Sequence, residues 1–143
     1  MRTEDILGAI VTTLTGLTTT GGNVQREQDY DIEQADLPRI IITQGEDVVQ
    51  NNLAQSYIDW QLTVDIDLLA RGNKDDVVTV LNTMRGEIHA ALMLDYQLGL
   101  GNIVKFIEAI RVERPIVDAG DRTIIRQTLS YSISYRTNWA NLT

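Results

Sequence analysis

The chain contains no cysteine. Disulfides, thiolate metal centres and thiol nucleophiles are therefore excluded outright, and a reducing cytoplasmic origin is compatible with their absence. Histidine occurs once, at His89, with no spacing around it that supplies a nucleophile and an orienting carboxylate. Its place on a helix flank reads as structural. No apolar run approaches the ~20 residues of a membrane span, so no transmembrane helix is expected. The opening "MRTEDILGAIVTTL" puts acids directly after the arginine and lacks the basic-then-apolar layout of a secretory signal. Positive charge is also in short supply. Twelve lysines and arginines face twenty aspartates and glutamates, a net charge of −8. Sequence-independent grip on a phosphate backbone comes from clustered Lys and Arg, so such a surface argues against holding nucleic acid. It does not argue against letting DNA slide past.

What is present reads as one ordinary folded domain over residues 1–143, with 43% hydrophobic and 22% charged residues. The charge is unevenly placed. Residues 1–72 hold twelve acids and four bases, whereas residues 73–143 hold eight of each. Between Glu27 and Asp47 seven acids stand against one base, Arg39. Lys105, Arg111, Arg114, Arg122, Arg126 and Arg136 lie in the last third.

The strongest pattern is residues 57–69, "YIDWQLTVDIDLL". Ile58, Trp60, Leu62, Val64, Ile66 and Leu68 take every second position, with Asp59, Asp65 and Asp67 among the residues between them. On a strand this alternation gives one apolar face and one acidic face. At ~3.3 Å per residue the strand spans roughly 43 Å, far beyond the usual length. Before it, Thr3 can cap a helix with the stripe Ile6, Leu7, Ile10, Val11, Leu14 and Leu17. "TGLTTTGGN" ends that helix, a short strand is placed near Val24, and "QREQDYDIEQAD" reads as loop. "RIIIT" is a strand. "QGEDVVQNNLAQ" is read as a long link. After Arg71-Gly72, Asn73 or Asp75 caps a second helix with the stripe Val77, Val78, Leu81, Met84, Ile88, Ala91 and Leu92. Residues 103–112 and 122–137 are two further strands, separated by the loop "ERPIVDAGD". The sum is an α+β domain, an antiparallel sheet with two helices packed on one face. Strands that outrun their cover, together with open edges, point to an oligomer.

Motifs for chemistry are weak. Asp65-Ile66-Asp67 resembles a metal-binding pair, but the alternation runs through it undisturbed and reads as a solvated strand face. Gly99-Leu100-Gly101 follows a helix instead of opening one, and no lysine comes after it, so it is not a phosphate loop. Asp29-Tyr30-Asp31 is polar loop, and Asp75-Asp76 fits helix capping. Trp60, Tyr131 and Tyr135 sit on apolar faces and suit a core better than base stacking. Neither an enzyme site nor a cofactor is expected.

In order along the chain, an amphipathic helix leads into "LTGLTTTGGNV", then come "DLPRIIIT" and "GED", a long alternating strand, a helix ending near "ALMLDYQLG", and a last strand closing in "SYSISYRT". This arrangement resembles the tail terminator proteins of long-tailed bacteriophages, the group similar to minor tail protein U, over nearly the full length. The resemblance implies a structural virion protein, assembled in the host cytoplasm, that forms a hexameric ring. Such a ring caps the tail tube protein, ends its polymerisation and meets the head-tail connector protein, and DNA passes through without specific binding. It implies no catalytic residues, cofactor, metal or membrane. Within a ring, Asp59, Asp65 and Asp67 are expected to line the channel and repel phosphate; the plain alternative is an outer wall. Glu27, Asp29, Asp31, Glu33 and Asp36 are expected to face Arg111, Arg114, Arg122 and Arg126 across the subunit boundary. The rival readings are another neck or tail-completion adaptor, a tube subunit, or a small oligomeric ligand-binding regulatory module.

Overall fold

Alternating apolar residues in the longest strand organise everything that packs around it. The fold is taken from a computed structural model, which describes residues 2–22, 24–26, 38–51, 57–72, 74–101, 104–118 and 124–138. Its elements are α1 (Arg2–Leu14), β1 (Val24–Arg26), β2 (Arg39–Asn51), β3 (Tyr57–Arg71), α2 (Lys74–Leu94), β4 (Val104–Val112), β5 (Ile116–Asp118) and β6 (Ile124–Asn138). They form one sheet in the order β1-β2-β3-β6-β4, and β5 pairs with β6 where β4 has ended. All pairings are antiparallel except β1 with β2, which is parallel. The architecture is α+β, with both helices on one face of the sheet.

Leu62, Val64, Ile66 and Leu68 of β3 are buried, as are Leu129, Tyr131, Ile133 and Tyr135 of β6. Ile6, Leu7, Ile10 and Leu14 of α1 and Val77, Leu81, Met84, Ile88 and Leu92 of α2 meet them in one cluster. Complete burial of such side chains contributes about 1.5–3 kcal/mol each, so the two stripes hold the helices down. Glu87 of α2 adds a tether to the turn after α1, accepting from Thr19 N–H at 3.0 Å and Thr19 Oγ1 at 2.5 Å.

Several local expectations change. The link "QGEDVVQNNLAQ" is strand as far as Asn51, because β2 stays paired with β3 through a bulge. Gln44 pairs with Val64 and Asp47 with Leu62, so β2 carries one extra residue there. Gly45 makes this possible: a Cβ at its position would stand 2.8 Å from Thr63 O. The bulge reverses the alternation, putting Asp47 rather than Glu46 opposite inward-facing Leu62. A second shift falls between Val49 and Asn51, and β4 has two, between Val104 and Phe106 and between Ala109 and Arg111. The loop "ERPIVDAGD" contains β5. Helix α1 begins at Arg2 and α2 at Lys74, so Thr3 and Asp75 lie inside their helices and not at caps.

The inward face of β3 is also better covered than its length suggests. It is buried from Ile58 to Ala70, with only Trp60 partly exposed, and Trp60 stacks on Tyr135 at 6.3 Å between ring centroids. The face is closed, and the margins of the sheet are what remain open.

Candidate functional site

The three carboxylates of β3 face away from the helices, and the strand register gives each a donor directly opposite on β6. Asp67 pairs with Thr128, Asp65 with Ser130 and Asp59 with Arg136. Thr128 Oγ1 donates to Asp67 Oδ1 at 2.5 Å and Ser130 Oγ to Asp65 Oδ1 at 2.7 Å. Arg136 donates to both oxygens of Asp59, Nε to Oδ1 at 2.7 Å and Nη2 to Oδ2 at 3.2 Å. Lys105 of β4 adds a third bond, Nζ to Oδ2 at 2.9 Å. These bonds, Arg136 first and Lys105 next, hold the Asp59 carboxyl below its usual range against the opposing effect of burial. Asp59 is thus an anion enclosed by two cations, whereas Asp65 and Asp67 rest on hydroxyls. Gln61 donates to Ser132 on the same face. Ser130 and Ser132 are only 2% and 0% exposed, so the outer face is a tight skin of short polar side chains.

Beneath it, the bulge of β2 turns Asp47 toward the core. The Tyr135 hydroxyl donates to Asp47 Oδ2, while Asp47 Oδ1 is buried and finds no partner among the described residues. Burial raises the Asp47 carboxyl above its ordinary value, and the bond from Tyr135 only partly offsets this. Burial, then the bond to Asp47, pushes the Tyr135 hydroxyl well above its ordinary value.

The margins differ from one another. On the far side of β2, β1 covers only Ile40–Ile42, so among the described residues 43–51 have no partner strand there, and Val48 and Val49 are exposed. At the opposite margin β4 is the last strand among the described residues, with Phe106, Ile110 and Val112 exposed, followed by exposed Ile116 of β5. Arg111 lies on β4, Arg114 is exposed in the connection to β5, and Arg126 of β6 is flanked by Ile116 of β5. Three of the four arginines expected at a boundary therefore gather at or beside one margin. Arg122, Glu27, Asp29, Asp31, Glu33 and Asp36 lie outside the described residues.

Between α2 and the β4 margin is an open cleft of about 530 Å³. Arg85 and His89 of α2, Arg111 and Val112 of β4, and Leu129 and Tyr131 of β6 are among its walls. His89 Nδ1 is 3.0 Å from Tyr131 Oη. Burial pushes the Tyr131 hydroxyl up to about 12, with Arg85 opposing. The sequence reading overlooked Arg85. Its signal was a polar stripe at helical spacing, Asn82, Arg85, Gly86 and His89, beside the apolar one. Among the described residues no group of three or more His, Asp and Glu side chains is placed to hold a metal ion. No described helix is long and apolar enough to cross a membrane. Comparison with known proteins finds no family model that matches this chain and no curated protein that does.

Proposed function

We propose that the protein is a structural component of a tailed-phage virion that assembles head to tail into a ring, caps the tail tube and joins it to the head connector. The observation that carries this reading is the pair of unlike margins. A closed ring needs two different patches on each subunit, one meeting the other on the next copy. Here an acidic stretch of chain is anchored at the β1–β2 margin, while arginines and exposed apolar residues occupy the β4 margin. The order of sequence phrases shared with tail terminators supplies the rest. In such a ring the hydroxyl-and-carboxylate strip of β3 and β6 supplies the surface along which DNA moves without being held. The protein has no catalytic role in this reading and needs no cofactor.

Negative-stain microscopy of the purified chain, paired with light scattering, tests it. Rings of uniform size are expected. Long cylinders would make the chain a tube subunit. Dispersed single particles would remove the proposal. One observation favours a different reading, a small ligand-binding module: the cleft beside α2 has the size of a small-molecule site. That reading requires a small molecule to raise the melting temperature of a chain that forms no ring.

A further inference from the structure

The helix layer covers the last strand of the sheet only in part. Helix α1 lies over β1 and β2, and α2 over β3 and β6. Val104 and Ile107, early on the inward side of β4, are buried, whereas Ala109 and Val112 farther along it are exposed. Their direction follows from the register, because Ala109 is opposite Tyr131 and Val112 opposite Leu129, both core residues. The α2–β4 cleft is thus a bare piece of the sheet's apolar face, with Arg85 of α2 at its side. Among the described residues no ion pair involves Arg85. Apolar sheet faces are stably covered by a further packed element.

At the opposite margin α1 offers such an element. Glu4, Gly8, Val11 and Thr15 recur at i, i+4, i+7 and i+11, one stripe along the helix and its last turn. The stripe is turned toward the edge strand, because Glu4 accepts from Arg26 of β1 at 2.5 and 3.1 Å. Glu4, Gly8 and Thr15 are exposed and Val11 is half-buried. The two features also share a level in the sheet. Arg26 is opposite Ile42, Ile42 opposite Ile66, Ile66 opposite Leu129 and Leu129 opposite Val112, one row across five strands. Glu4 sits at one end of this row and the cleft at the other. When sheets follow one another head to tail, the row of one copy runs into the row of the next. Within one copy the two cannot meet. From β2 to β4 is three strand spacings, about 14 Å, and α2 stands between.

We propose that the Glu4–Thr15 flank of α1 from the next copy lies on the bare inward side of β4 and closes the α2–β4 cleft. Glu4 accepts from Arg85 there, and keeps Arg26 as well, since a carboxylate has acceptor sites for two guanidiniums. Val11 supplies the apolar side of the contact against Ala109 and Val112. This rests on the head-to-tail reading above and adds where the copies touch.

Two variants, each spoiling one side, test it by light scattering on full-length chains. Gly8→Trp puts a large ring on the α1 flank, where a Cβ meets nothing within 4 Å in its own copy, and it replaces a poor helix former. R85E/A109E puts two acids in the cleft, both at exposed positions. Each alone should fall to the mass of a single chain while still melting cooperatively. An equimolar mixture should give dimers and nothing larger, because it retains one sound flank and one sound cleft, enough for one junction. If both variants keep the wild-type mass, the contact is overturned and the ring reading stands. A mixture that stays at single chains also overturns the contact. A wild type that is itself monomeric overturns both readings. Should R85E/A109E lose its cooperative melting, R85E alone takes its place.

Discussion

Asp47→Asn should stabilise the protein at neutral pH, although it removes a charged hydrogen-bond partner of a buried tyrosine. Asp47 is half-buried, one oxygen accepts from Tyr135, and the other has no partner among the described residues. Its carboxyl is raised by burial. Between the unfolded-state and folded-state values, the folded protein therefore keeps a proton that the unfolded chain has already released. Ionised Asp47 subtracts from stability: the penalty is absent below the ordinary carboxylate range, grows as pH rises, and is complete above the folded-state value. An unpaired buried polar atom costs about 1–3 kcal/mol, and partial exposure places this one at the low end, about 1 kcal/mol. Asparagine keeps an oxygen for the Tyr135 hydroxyl and puts an uncharged amide nitrogen at the unpartnered position, so what it removes is the cost of burying the charge. Urea denaturation of both proteins from about pH 4 to about pH 8 checks this. The variant should exceed the wild type by about 1 kcal/mol at the upper end, and the two should converge toward the acid end. An asparagine variant that is less stable by the same amount at every pH would refute the reasoning. Asp47 would then serve the fold as an anion. Tyr135→Phe, which leaves both Asp47 oxygens without a donor, should lower wild-type stability, and a double-mutant cycle with D47N measures the coupling.

Asp59→Asn has the opposite sign. Its carboxyl is lowered by Arg136 and Lys105, so the stabilisation is present above the ordinary carboxylate range and lost as pH falls through the folded-state value. A loss of about 1 kcal/mol at pH 7, fading in acid, is expected in the same denaturation assay, because both cations are partly exposed and screened. Gly45→Ala should cost about 1–3 kcal/mol, since its Cβ meets a backbone oxygen that no rotamer change can move away. Thermal unfolding measures this, and an unchanged melting temperature would mean that the bulge relaxes freely.

The sheet and its helices were legible because their periodicities are clean. In β3 no residue breaks the two-residue alternation from Tyr57 to Leu68, and α2 keeps Val77, Leu81, Met84, Ile88 and Leu92 on one stripe. β2 was read short because Gly45, Glu46 and Asp47 are poor strand formers that pairing with β3 overrides. The parity change at the bulge hid the inward turn of Asp47 as well. β5 is only three residues long and follows proline, so it exists through its pairing with β6 and not by its own propensity. The donors opposite Asp59, Asp65 and Asp67 could be listed from sequence, but the register that matches them could not. Arg85 and Arg111 are 26 positions apart in the chain. Only the fold brings them to one cleft.

Both borders of the sheet are kinked by added residues, β2 near Gly45 and again between Val49 and Asn51, and β4 twice. A straight border invites copy after copy to dock by backbone alone, which is the route to fibrils. Kinked borders twist out of plane and spoil that template. Copies of this chain must then find each other through side chains, at one set angle, and a repeated fixed angle is what lets a stack of subunits come back round to its beginning.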